Sequence, residues 1–291
     1  MTPASAPREM TTPGAGGLPV GASGPTSPGR GSLGRLPAVL LVPAVLAAAL
    51  LVVPTLSLVV QTPWRDFLTE VTDPSVLDAL WLTCLASVAT VIACLLLGTP
   101  LAWLLARVDF RGRSLLRAAV TVPLVLPPVV AGVALVTALG RTGLVGRWLY
   151  DWFGLTLPYT TAAVVIAHTF VSIPFYVLSV EGALRASGEE LDLVAATLGA
   201  DRWTTFRRVS LPLALPGVVA GAALAWARSL GEFGATITFA GNYPGTTQTM
   251  PSKIYTALQS QPDVARTLSM ILLLVSVGVL ALLRNRWLTR P

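Results

Sequence analysis

Charge is what this 291-residue sequence has least of: Asp, Glu, Lys and Arg make up 12% of it, against 54% hydrophobic residues. A soluble domain of this size carries roughly twice that charged fraction, so a water-facing globule is excluded. The charges stand in short clusters between long uncharged apolar runs, the pattern a bilayer requires. Lysine is scarcer still: Lys253 is the only one, after Ser252 and before Ile254. A phosphate-binding P-loop needs a Gly-Lys-Ser/Thr core, so the chain carries no Walker-type ATPase. Its two cysteines, Cys84 and Cys94, share one apolar run. In a helix they stand about 15 Å apart, too far for a bridge. The single histidine, His168, has no Cys or carboxylate cluster at ligand spacing, so no metal site is expected. It reads as a core histidine with its hydrogen bonds satisfied. The lack of a nucleophile, base and metal set also excludes an intramembrane enzyme.

The net charge of +6 does not point to nucleic acid, because the basic residues flank apolar segments instead of gathering on a polar domain. Residues 1–35 are rich in Pro, Gly, Ser and Thr, which predicts a disordered cytoplasmic tail. Residues 36–60 form a continuous apolar run, longer than the roughly 7–15 residues of a secretory h-region, so they are read as a retained first transmembrane helix. Five further spans are expected over 80–106, 115–139, 160–180, 213–240 and 267–283, the second of these interrupted by Pro123, Pro127 and Pro128. The expected inner segments hold Arg8, Arg30, Arg35, Arg107, Arg111, Arg113, Arg117, Arg185, Arg202, Arg207, Arg208, Arg284, Arg286 and Arg290. The outer ones hold only Arg65, Arg141, Arg147, Lys253 and Arg266. That asymmetry predicts both termini in the cytoplasm; 284–291 is expected to be a short C-terminal tail, and no fused sensor domain is expected. Trp64, Trp148 and Trp152 fall at the outer boundary, where aromatic belts sit. The expected fold is an all-α, multi-pass integral membrane protein of the cell membrane, with six transmembrane helices in lipid.

The longest inner connection, 181–212, carries helix signals of its own. Ser187-Gly188-Glu189-Glu190 fits a capping box with Ser187 as N-cap. Leu191, Val194, Ala195 and Leu198 then fall on one helical stripe. Gly199 suits a left-handed stop, and Asp201 is placed to cap a second short helix bearing Trp203 and Phe206. Arg207 and Arg208 follow in its last turn, favourable for the helix dipole. Periodicity leaves two readings open: a hairpin lying on the membrane surface, or a projecting docking element for a cytoplasmic partner.

The wording of this segment resembles the EAA loop of ATP-binding-cassette (ABC) importer permeases. There the pattern is E-A-A, three residues, Gly, then a spacer to hydrophobic-x-Leu-Pro. This sequence has Gly199 and Leu211-Pro212, with Leu193, Val194 and Ala195 at the E-A-A positions. The glutamate is therefore replaced, and Asp192 or Glu190 is the carboxylate nearest to stand in. The resemblance implies a type I ABC importer permease over 78–283. In it Asp192, Val194, Ala195, Gly199, Ala200, Asp201, Phe206, Leu211 and Pro212 form the loop that couples to an ATPase subunit.

Two other stretches are similar to the molybdate and sulfate branch of that family. One is Val122-Pro123-Leu124-Val125-Leu126-Pro127-Pro128-Val129-Val130. The other is Ala227-Arg228-Ser229-Leu230-Gly231-Glu232-Phe233-Gly234-Ala235, running on to Gly241-Asn242, Pro244-Gly245 and Thr247-Gln248-Thr249-Met250-Pro251. The resemblance implies import of molybdate or tungstate by alternating access, with sulfate or thiosulfate as the alternative anions. Cytoplasmic ABC ATPase subunits would bind ATP and Mg, leaving no cofactor on this chain. An external solute-binding protein and a second permease copy, as a homodimer, complete the implied assembly. A self-sufficient ion-coupled secondary transporter is the alternative from another class.

Arg228 and Glu232, four residues apart, can pair on one helix face. Within a span each costs at least about 2.5–3.5 kcal/mol unless paired or hydrated. With Pro127, Pro128, Phe233 and Gly234 they are the candidate pathway or gate. A structural salt bridge and interfacial snorkelling remain as other readings of the pair. Gly217, Gly221, Ala225 and Ser229 form a small-residue ladder that allows close helix approach, within one subunit or at a dimer seam.

Overall fold

The computed structural model describes residues 38–287, and every regular element among them is helical. The tail expected over 1–35, and 288–291 of the one expected at the C-terminus, lie outside the described residues. The described helices fall into two units divided at Val53. The first holds the N-terminal part of α1 (Ala38–Gln61); the elements from α2 onward belong to the second.

After the short α2 (Phe67–Val71), α3 (Pro74–Ala93) begins with Asp73 as N-cap, its carboxylate accepting the Ser75 N–H at 2.8 Å. A π turn (Cys94–Gly98) joins α3 to α4 (Thr99–Arg107), making one helix over Pro74–Arg107. At 1.5 Å per residue it is about 51 Å long, longer than the hydrocarbon core of a bilayer at about 30 Å. The π turn has a local cause. Pro100 lacks an N–H and its ring crowds the carbonyl four residues back, and the preceding turn widens to accommodate it.

The third expected span is two helices, α5 (Arg113–Val125) and α6 (Pro128–Leu139). Pro123 stays inside α5, and the break falls at Leu126 and Pro127, both extended. A residue before proline avoids the helical region, and Pro128 at the first position of α6 gives up no bonded N–H. Then come α7 (Gly146–Phe153) and α8 (Thr161–Ala186). The short α9 (Glu190–Thr197) and α10 (Arg202–Thr205) follow, and a second π turn (Phe206–Ser210) leads into α11 (Leu211–Leu230). Again a proline, Pro212, stands two residues beyond the π turn.

The run expected as one helix over 213–240 is also divided. Helix α11 ends at Leu230 and α12 (Gly234–Phe239) starts afresh. Gly231 ends the first, and the Glu232 carboxylate accepts the Ala235 N–H at 2.8 Å, capping the second. Helices α13 (Met250–Ser260) and α14 (Pro262–Trp287) complete the chain. Five helices are long and apolar enough to cross a membrane: Leu40–Gln61, Pro74–Arg107, Thr161–Ala186, Arg202–Leu230 and Pro262–Val279; Pro128–Leu139 is apolar but shorter.

Helix α8 is the post of the second unit, touching α3, α4, α5, α6, α11 and α12. The small-residue ladder of α11 faces it. A Cβ on Gly217 would stand 2.3 Å from Ala183 Cβ, and one on Gly221 would stand 3.1 Å from the Tyr176 carbonyl. Ser179 Oγ donates to the Gly217 carbonyl at 3.0 Å. The ladder thus serves packing within the chain. Gly217→Leu is expected to destabilise the folded chain by about 1–3 kcal/mol through overpacking. Gly182→Ala, on α8 with open space around it, is expected to be neutral or stabilising by up to about 1 kcal/mol. Thermal unfolding of the detergent-purified variants separates the two.

Candidate functional site

Two regions hold the residues singled out above. The first is the loop between α8 and α11. The expected capping box does not form: α8 continues to Ala186, Ser187 closes it by donating to the Leu184 carbonyl at 2.8 Å, and Gly188 turns the chain at φ +70°. Helix α9 starts from Glu189 without a side-chain cap. Its end follows the sequence signal closely. Gly199 takes φ +85°, its N–H donates to the Ala196 carbonyl, and the Ala200 N–H donates to that of Ala195, both at 3.0 Å. This is the Schellman arrangement. Asp201 Oδ1 accepts the Thr204 N–H at 3.0 Å, capping α10. Hydrogen bonds from the side chain and backbone of Thr204 hold the Asp201 carboxyl below the usual carboxylate range, so the cap is in place at neutral pH.

Helix α9 presents Leu193, Val194 and Leu198 outward, the last 82% exposed, while Ala195 and Ala200 are half-buried. Phe206 packs edge-on against Trp103 of α4, with ring centroids 5.8 Å apart. Leu211 and Pro212 open α11. Asp192 faces inward, 2.8 Å from Arg107 Nε and accepting the Ser210 hydroxyl at 2.9 Å, whereas Glu190 is exposed. A groove of about 300 Å³ between α4 and the loop is lined in part by Trp103, Arg107, Asp192 and Thr205. Nothing local in the sequence marks Trp103 or Arg107 as partners of this loop.

The second region is the break between α11 and α12. Arg228 Nη1 lies 2.6 Å from Glu232 Oε2, with the arginine side chain 28% exposed and the glutamate 1%. One Glu232 oxygen holds Arg228 and the other caps α12. Phe233 leans on Tyr255 of α13 at 4.9 Å. Gly234 lies against the start of α6, where a Cβ would come within 2.6 Å of Pro128 Cβ. Pro128 and Gly234 therefore meet where two helices begin side by side, with Pro127 as the N-cap of α6.

Beside this break runs a buried polar chain that sequence reading missed. Ser229 Oγ donates to Ser87 Oγ of α3 at 3.2 Å, so the His168 Nδ1–H donates to Ser229 Oγ at 2.7 Å. His168 was expected to be fully satisfied, but its Nε2 has no hydrogen-bond partner among the described residues. The signal available was weak: three polar residues in three different spans. Cys84 and Cys94 are both free, and no cluster of His, Cys, Asp or Glu among the described residues could hold a metal ion.

The chain is thus a multi-helix protein with long apolar helices, a helical loop between α8 and α11, and a charged break between α11 and α12. Residues 98–290 match the family described as binding-protein-dependent transport system inner membrane component, and the chain belongs to that family. It is a multi-pass permease of the cell membrane, without an ATPase of its own. It is 46% identical over 244 residues to the molybdenum transport system permease protein ModB of Mycobacterium tuberculosis, covering 84% of this chain and 92% of that one. It is 39% identical over 199 residues to the sulfate transport system permease protein CysT of Escherichia coli, covering 68% and 72%. Its fold matches a chain in the crystal structure of a bacterial alginate ABC transporter in complex with an alginate pentasaccharide-bound periplasmic protein. That match has a TM-score of 0.70, 19% identity, and covers 85% of this chain and 92% of that one.

The double role of Glu232 gives a graded expectation. Glu232→Ala leaves Arg228 unpaired and α12 uncapped, and breaking a buried pair in this way costs about 3–5 kcal/mol. Glu232→Gln keeps an oxygen for the Ala235 N–H and loses only the charge, so it is expected to cost less. The order of the two midpoints in thermal unfolding checks the assignment.

Proposed function

We propose that this chain is the permease of an ATP-driven molybdate importer, moving the oxyanion inward by alternating access. The observation that carries the reading is the helix ending at Gly199. It turns apolar side chains outward from a loop that lies outside the spans, a surface suited to the cleft of a cytoplasmic ATPase. In this reading ATP and Mg²⁺ stay on that partner, and the chain itself binds no cofactor. An external solute-binding protein delivers the anion, and a second copy of the chain completes the pathway as a homodimer.

The membrane topology in this reading has six crossings, with α5 and α6 forming one bent crossing between them. Residues Arg113 to Leu139 then rise about 40 Å along the helix axes, enough for a bilayer core. Both termini lie in the cytoplasm, in keeping with the arginine asymmetry. Molybdate is favoured over sulfate by the higher identity and coverage of the molybdenum permease relative. The pair Arg228 and Glu232, with Phe233, Gly234, Pro127 and Pro128, forms the gate at the helix break. An arginine there suits a passing tetrahedral dianion, and its side chain is partly exposed.

Reconstituted with its ATPase subunit and binding protein, the chain is expected to import labelled molybdate only when ATP is supplied. Sulfate should compete weakly. Arg228→Ala is expected to lower uptake by about tenfold, equivalent to about 1.4 kcal/mol, with membrane insertion unchanged. Uptake by the chain alone without ATP would overturn the reading in favour of an ion-coupled transporter. Normal uptake by Arg228→Ala would remove the gate role.

A further inference from the structure

The docking role of the loop rests on the function proposed above; what the structure adds is how the loop is held. Trp103 and Arg107 stand one turn apart on α4, on one face. Trp103 meets Phe206 in the second arm of the loop. Arg107 grips the first arm: Nη2 donates to Ser187 Oγ at 3.2 Å and to the Gly188 carbonyl, Nε makes an ion pair with Asp192 Oδ2 at 2.8 Å without directing its N–H at that oxygen, and Nη1 is 3.9 Å from Glu189. The Arg107 side chain is only 7% exposed. A guanidinium fork can hold several acceptors at once in fixed geometry, which a lysine ammonium cannot.

The post that carries Arg107 is itself fixed. The Leu105 carbonyl, near the end of α4, accepts from Arg113 Nε at 3.0 Å, Arg117 Nη2 at 3.3 Å and Arg185 Nη2 at 3.4 Å. The buried Glu181 carboxylate lies 2.6 Å from Arg117 and 2.9 Å from Arg185. Three cations at a helix C-terminus also complement its dipole. In the other direction α4 runs through the π turn into α3, whose Ser87 accepts from Ser229, the neighbour of Arg228. One continuous helix therefore connects the docking loop to the gate over about 30 Å.

We propose that Arg107 is a positioning residue of the transport cycle. Its pairing with Asp192 is the latch through which displacement of the docking helix is passed to the helix Pro74–Arg107 and so to the Arg228–Glu232 gate. Asp192 thus acts within the permease. Its carboxylate is spent on Arg107 and Ser210, leaving the outward apolar face of α9 for the ATPase.

The test uses the full permease–ATPase complex in proteoliposomes and reads molybdate imported per ATP hydrolysed. Arg107→Ala and Asp192→Asn are each expected to lower that ratio by about tenfold, and the double variant to fall no further, because one pair is lost only once. Arg107→Lys, a milder change that keeps the charge, is expected to retain an intermediate ratio. The Arg107→Ala chain should still co-elute with the ATPase subunit. An unchanged ratio, import and hydrolysis falling in proportion, or losses that multiply in the double variant would each overturn the latch. If the unsubstituted chain itself fails to co-elute with an ATPase subunit, it is the docking reading that falls.

Discussion

A helix start leaves backbone N–H groups without partners, and in a multi-pass membrane protein those that water does not reach have to be satisfied by the protein itself. That constraint shapes this chain. At the start of α6 the problem is reduced by proline, which has no N–H to satisfy. At the start of α12 it is met by Glu232, whose carboxylate caps the new helix and pairs with the arginine of the old one. The two starts then pack against each other through Gly234 and Pro128. The gate proposed at this break would use charges and backbone ends that the fold needs in any case.

The rest of the second unit is built on helix α8. Glycines let α11 approach it to backbone contact. The Thr99 and Tyr176 hydroxyls, 2.6 Å apart, tie α4 to it. Near its C-terminal end Glu181 gathers Arg117 and Arg185. Close packing in the middle and an ion cluster at the end divide the work along the helix. Apolar contacts gain little from lipid exclusion, so small residues hold the helices through contact.

Much of this was legible in the sequence, and what was not has physical causes. Gly199 and Asp201 were readable because their chemistry is local, each satisfying backbone groups a few residues away. The Arg228–Glu232 pair was readable from its spacing. The capping box at Ser187 was misread because Gly188, by turning left-handed, lets α8 claim Ser187 for its own end. The break after Leu230 was missed because hydropathy registers Gly231-Glu232-Phe233 as a brief dip in an apolar run. It does not show that one carboxylate can end one helix and begin the next. Arg107 with Asp192, and His168 with Ser229, join residues far apart in sequence, and single-sequence patterns carry no information on such pairs.

The two π turns give the long helices a property that neither length nor hydropathy conveys. Each accommodates one more residue than an α-turn, which sets everything beyond it about 100° out of phase with an uninterrupted helix. On α3 and α4 the buried positions Ala86, Thr90, Cys94, Gly98, Ala102 and Ala106 recur every four residues, a spacing that drifts about 40° per step on an ideal helix. The turn at Cys94–Gly98 takes back part of that drift. Angular phase, and with it the direction in which Trp103 and Arg107 point, is therefore written into the chain two residues ahead of Pro100. Deleting one residue there would leave the helix nearly as long and as apolar, yet turn its C-terminal end away from the loop it holds.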